Sequence, residues 1–241
     1  MQILAIGNSF SQDATRYLHR IARKAGDKLK VVNLYISGCS LSEHYRNMLS
    51  GERAYELQIN GERSGFKVSL DEALLNRDWD VITFQQASHH SPKYETYQPY
   101  LSALSAHVRK MCPMAKQLIH QTWGYEEGSE RLGTMMGYTS AAEMTADIVK
   151  AYQKAAADIG AQGIIPSGEL MAKMSANGME KVHRDTYHAR LGVGRYALGL
   201  LWYAVLFGKD VSADAFDDFD EPVTEHERQI AIQSVCDVLR K

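Results

Sequence analysis

Cysteine is scarce in this chain: Cys39, Cys112 and Cys236 are three in all, an odd number without metal-ligand spacing. That argues against a disulfide scaffold or a cysteine zinc site and leaves reduced, mostly buried thiols as the expectation. Long apolar runs are missing too, and none approaches the roughly 18–20 residues of a membrane span. The start has neither the basic region nor the long apolar stretch of a signal peptide, so the chain as written is expected in the cytoplasm. A leader removed ahead of Met1 would instead imply a periplasmic or secreted protein. Charge of one sign is not in excess: 27 Lys and Arg against 29 Asp and Glu give a net charge of -2. This balance offers no bulk attraction to nucleic acid or anionic membranes, so partners must be argued from sites. No internal repeat, low-complexity tract or Pro/Gly-rich linker divides the sequence. Its 241 residues therefore read as one domain, 1–241, with oligomeric state left open.

What is present is an alternation of short β-rich runs with longer amphipathic segments, the pattern of a parallel sheet covered by helices on both faces. Strands are expected at Gln2–Ile6, Leu29–Ile36, Asp80–Phe84, Gln117–Gln121 and Gly163–Ile165. Helices are expected at Asp13–Lys24, Tyr97–Met111, Ala141–Ile159, Leu191–Phe207 and Glu225–Leu239. The segment Ala54–Leu70 breaks the alternation. Its Asn60-Gly61 pair is a strong hairpin turn between residues of strand character, which predicts an inserted β-hairpin placed to form a rim of the site. The expected fold class is thus α/β, with a central parallel sheet of about five strands and one small hairpin.

The first strand ends in "IGNSFS". In a doubly wound sheet, residues just past the carboxyl ends of the strands line the crevice where strand order reverses. Ser9 falls there, at the start of a helix whose free N–H groups would face a developing anion. Asn8, Ser9 or Ser11 could equally cap that helix. A serine becomes a nucleophile only with a base and a group that holds the base. The downstream stretch "VHRDTYHARLG" offers both: Asp185 and His188 are three residues apart, close enough for the carboxylate to meet the imidazole across a tight turn at a helix entrance. The competing reading has Asp185 as a helix cap. An early glycine-flanked serine combined with a late D-x-x-H, in an α/β pattern, favours chemistry.

These residues resemble the SGNH-type (GDSL-like) hydrolases, in the divergent branch whose first block reads G-N-S instead of G-D-S. The likeness runs from "IGNSFS" through "SGCSL" and "WDVITFQQASHHS" to "DTYHA". It implies a flavodoxin-like three-layer α/β/α sandwich and activity as an esterase, lipase or carbohydrate O-deacetylase. It further implies Ser9 as nucleophile, His188 as general base and acid, and Asp185 as the group orienting His188. Oxyanion donors implied are the Ser9 N–H and Gly38. The third block normally brings an asparagine, and here "FQQASHHS" has none, which leaves Gln86 and His89 as alternative side-chain donors. No cofactor is implied, and the expected partner is a small-molecule or carbohydrate ester.

Two rivals are readable. Nine histidines include His89, His90, His120, His183 and His188, with Asp185 nearby, but no compact ligand spacing such as H-E-x-x-H, so metal hydrolysis ranks below serine chemistry. A sugar-binding module is the other, with Tyr94, Tyr97, Trp123 and Tyr125 as stacking surfaces against the alternative of simple packing. Finally, the irregular "GYEEGSERLGTMMGY" predicts a long loop acting as a lid, with Met135 and Met136 as an apolar wall.

Overall fold

The computed structural model describes residues 1–240. Seven strands form one sheet: β1 Gln2–Gly7, β2 Lys30–Tyr35, β3 Tyr55–Ile59, β4 Glu62–Val68, β5 Val81–Phe84, β6 Lys116–His120 and β7 Ile164–Ile165, in the order β4-β3-β2-β1-β5-β6-β7. β2, β1, β5, β6 and β7 run parallel, whereas β3 and β4 are antiparallel additions at the edge. The five parallel strands are those read from the sequence. Their spatial order is that of flavodoxin-like sheets, and it reverses beside β1, the place where such folds bind ligands.

The hairpin forms where expected, and both turn residues take positive φ, 54° at Asn60 and 86° at Gly61, as a tight two-residue turn requires. Its role differs from the expectation. It pairs with β2 and widens the sheet to seven strands, and none of its residues borders the cleft described below. Its tip instead meets the end of the first helix, where Arg16 donates to the Gly61 carbonyl at 2.8 Å.

Nine α-helices are described: α1 Ser9–Thr15, α2 Leu18–Lys24, α3 Leu41–Ser50, α4 Leu70–Leu75, α5 Tyr100–Met111, α6 Ala141–Ile159, α7 Ser167–Ala176, α8 Val193–Phe207 and α9 Glu225–Leu239. Helices α1, α2 and α8 pack together on one side, with α9 against α8, while α3 to α6 pack in sequence on the other. α8, "VGRYALGLLWYAVLF", is apolar almost all round, and it is buried accordingly from Tyr196 to Ala204. The single expected helix Asp13–Lys24 is two. α1 starts earlier because the Asn8 side chain accepts from the Phe10 N–H, and the break falls where Arg16 turns outward to Asp220 and the Tyr17 hydroxyl donates to the Leu191 carbonyl. Among the described residues no helix is long and apolar enough to cross a membrane.

Candidate active site

Ser9 is the first residue of α1, directly past the carboxyl end of β1. Asn8, not Ser9 or Ser11, caps the helix. Its Oδ1 accepts from the Phe10 N–H at 3.0 Å and from Gln85 Nε2 at 2.6 Å, while its Nδ2 donates to the Cys39 carbonyl at 3.0 Å. One buried amide therefore ties together the loops after β1, β2 and β5, leaving the Ser9 hydroxyl free of capping duty. Gly7 is required by close approach: a Cβ there would lie 2.4 Å from Ser11 Oγ and 2.9 Å from Gln85 Oε1. The Ser11 hydroxyl is itself engaged with the Asn8 carbonyl and with Asn33 Oδ1.

His188 and Asp185 sit in the turn of a small antiparallel hairpin, with His183 bridged to Ala189 and the Arg184 N–H donating to the His188 carbonyl at 2.9 Å. The turn precedes α8 by several residues, so Asp185 is not the cap of that helix. Thr186 takes φ +72°, an uncommon and strained conformation for a β-branched residue, costing about 1–3 kcal/mol. The turn it allows lets one carboxylate reach His188 twice: Oδ1 accepts from the backbone N–H at 2.9 Å and Oδ2 meets Nδ1 at 2.8 Å. His188 Nε2 lies 2.8 Å from Ser9 Oγ. Burial pushes the Asp185 carboxyl up, but the hydrogen bonds from His188 and the nearby Arg184 charge outweigh it, and the net shift is downward. Asp185 is thus an anion at neutral pH, positioned to hold the Nδ1 proton and leave Nε2 able to accept one.

Ser9 and His188 open on a cleft of about 270 Å³. A larger depression of about 670 Å³ beside Phe216 and Arg228 holds no such pair. Gly38 borders the cleft with φ +63° and open space where a Cβ would stand, so its glycine serves the backbone conformation. His89 also borders it, whereas the Gln86 amide points elsewhere: Nε2 donates to the Thr96 carbonyl and hydroxyl at 3.1 Å, and Oε1 accepts from the Leu41 and Ala87 N–H groups. Of the two alternatives for a side-chain donor, only His89 is at the cleft.

The other candidates scatter. His120 is wholly buried against Trp202, which drives its pKa down to about 3, and His183 is tied to the Gly124 carbonyl. No group of three or more His, Cys, Asp or Glu side chains among the described residues is arranged to hold a metal ion. Tyr97 and Trp123 are core residues; Tyr125 reaches the cleft. Met135 and Met136 do not line it. The loop that carries them contributes Tyr125 and Arg131, the latter from a π-helical turn at Arg131–Met135.

Some contributors were not singled out from the sequence. Tyr187 lies against the His188 ring at 3.9 Å between centroids, and its carbonyl accepts from Trp123 Nε1 at 2.7 Å. Asp13, on the same helix as Ser9 and fully buried, accepts from Arg184 at 2.9 Å and from Arg195 at 2.8 Å. It anchors the turn carrying His188 to the helix carrying Ser9. A buried carboxylate needs such partners, and two arginines at 184 and 195 flanking the motif were its available signal.

The family described as "Domain of unknown function (DUF4886)" matches residues 2–237. A crystal structure of a DUF4886 family protein from Bacteroides uniformis is 30% identical, with a TM-score of 0.93, covering 100% of this chain and 95% of that one. A provisionally assigned SGNH hydrolase from Slackia heliotrinireducens is 24% identical, with a TM-score of 0.62 over 86% of this chain and 98% of its own. The family 3 carbohydrate esterase of Clostridium thermocellum is 13% identical, with a TM-score of 0.51 over 86% and 96%. No curated protein matches the chain. The chain belongs to the DUF4886 family and carries the fold of the SGNH hydrolases.

Proposed function

We propose that this protein hydrolyses carboxylic esters through a covalent acyl-enzyme on Ser9. The observation that carries the reading is the chain Ser9 Oγ–His188 Nε2 and His188 Nδ1–Asp185, each link 2.8 Å, at the mouth of a cleft. Ser9 Oγ attacks the ester carbonyl carbon as its proton passes to His188 Nε2. The tetrahedral oxyanion rests on the Ser9 and Gly38 N–H groups, with His89 as side-chain donor in place of Gln86. The C–O bond to the alcohol then breaks, and the leaving oxygen takes the proton from His188. Water then attacks the acyl carbon as it gives a proton to Nε2; the bond from that carbon to Ser9 Oγ breaks, Oγ takes the proton back from His188, and the carboxylic acid leaves. Asp185 holds the imidazole tautomer throughout. No cofactor enters this scheme.

The cleft volume of about 270 Å³ favours a small acyl group, and the likeness of the sequence motifs to those of SGNH hydrolases makes an O-acetylated carbohydrate the leading substrate class. One continuous hydrophobic core supports reading residues 1–241 as a single domain that carries the whole reaction. The test is p-nitrophenyl acetate turnover by wild type, Ser9→Ala and His188→Ala, each with and without EDTA. Turnover that survives EDTA and drops by about a thousandfold or more in both variants is expected. Activity retained by Ser9→Ala, or lost only to EDTA, would overturn the proposal; a folded protein that binds glycans without turnover would be a binding module.

A further inference from the structure

Arg131 is half-buried at the cleft, its guanidinium 4.1 Å from the centre of the Tyr187 ring and 5.8 Å from that of Tyr125. It forms no salt bridge among the described residues, unlike the other arginine of the cleft, Arg184, whose charge is matched by Asp13 at 2.9 Å. No Asp or Glu lines the cleft. Acids around the site have other partners: Asp185 meets His188, Glu43 accepts from the Ser40 N–H and hydroxyl at 2.7 and 2.9 Å, Glu126 lies 3.9 Å from Lys181, and Glu127 accepts from the Ala141 N–H at 2.8 Å. A guanidinium over an aromatic ring, ion-paired with no carboxylate among the described residues, can offer its N–H groups as a fork to a carboxylate.

Resting on the serine-esterase reading above, we infer that the substrate carries an anionic group, a carboxylate, on its alcohol portion, and that Arg131 binds it. The side of the ester follows from the stacking order. His188 must hand its proton to the leaving alcohol, so that portion lies beside His188; Tyr187 packs on His188, and Arg131 packs on Tyr187. Among carbohydrates, the matching chemistry is an O-acetylated uronic acid rather than an acetylated neutral sugar.

The test compares kcat/KM for para-acetoxybenzoate with para-acetoxybenzamide, which differ in charge on the alcohol side. Phenyl hemisuccinate with phenyl butyrate does the same for the acyl side. The wild type is expected to prefer the acetoxybenzoate about tenfold or more, with the preference falling toward unity in Arg131→Gln, recovering partly in Arg131→Lys, and weakening with added salt. Reading the ratio separates charge recognition from any general effect of disturbing Tyr187. A wild-type ratio near one, or one unchanged in Arg131→Gln, while a fluorophosphonate still labels Ser9, overturns this inference and leaves the esterase intact. An Arg131-dependent preference confined to the hemisuccinate pair overturns the alcohol-side assignment. No turnover of any probe and no label on Ser9 removes the esterase reading and this inference with it.

Discussion

Asn8→Asp would convert the first block to the more familiar G-D-S, and the structure predicts that the protein loses stability. The Asn8 Nδ2 donates to the Cys39 carbonyl at 3.0 Å, and the residue is 1% exposed. An ionised carboxylate cannot donate, so a buried carbonyl loses its partner, at about 1–3 kcal/mol, and faces an anionic oxygen instead. Opposing this, the carboxylate keeps the Phe10 and Gln85 donors and gains from the helix N-terminus, roughly 0.5–1 kcal/mol at an ordinary site. The loss wins, with a net destabilisation of roughly 0.5–2 kcal/mol at neutral pH. Burial and the facing carbonyl raise the folded-state pKa of the introduced carboxyl above its unfolded value. The deficit against wild type is therefore full at high pH and shrinks as pH falls through the folded-state pKa, because the protonated acid can donate to Cys39 again. Urea unfolding of both proteins at matched pH from 8 to 5 measures this difference. Equal midpoints at pH 8, or a deficit that grows toward acid, would refute the assigned role of Asn8.

Gly7→Ala should destabilise by about 1–3 kcal/mol, because its Cβ meets Ser11 Oγ at 2.4 Å; an unchanged thermal midpoint would contradict that packing. Burial holds His44 down to about 4 and His120 to about 3. Below the ordinary histidine value of about 6.5 the unfolded chain takes up protons that these folded sites refuse. Stability should thus fall as pH drops from about 6.5 toward 4, and unfolding curves flat across that range would count against both assignments. Asp185→Asn should cut turnover by about 10⁴-fold at neutral pH through the wrong imidazole tautomer, with little change in unfolding midpoint because the site is partly exposed; kinetics and urea melts on one preparation decide it.

The parallel strands were legible because each is a short apolar run buried on both faces, and the Asn60-Gly61 turn fixed the hairpin without its neighbours. That the hairpin joins the sheet edge was not legible, since the mostly exposed β4, "ERSGFKV", carries no pattern that names a partner. Helix α7 is not announced by the sequence, because "SGELMAKMSA" is short, contains glycine and follows Pro166. At the site, Ser9, His188 and Asp185 could be chosen by residue type, order and spacing. Gln86 and His89 could not be told apart, because the difference lies in where the amide spends its hydrogen bonds, on Thr96 and Leu41. Arg131 and Tyr187 come to the cleft only through packing between two distant loops, linked by the Glu126 N–H donating to the Thr186 carbonyl at 2.7 Å, and no local pattern announces it.

Whether Ser9 is the nucleophile is decided by intact-mass and peptide mass spectrometry after treatment with a fluorophosphonate. One adduct, on Ser9, is expected from the wild type and none from Ser9→Ala, with labelling slowed sharply in His188→Ala. No adduct on a folded wild type, or an adduct on another residue that persists in Ser9→Ala, would contradict it.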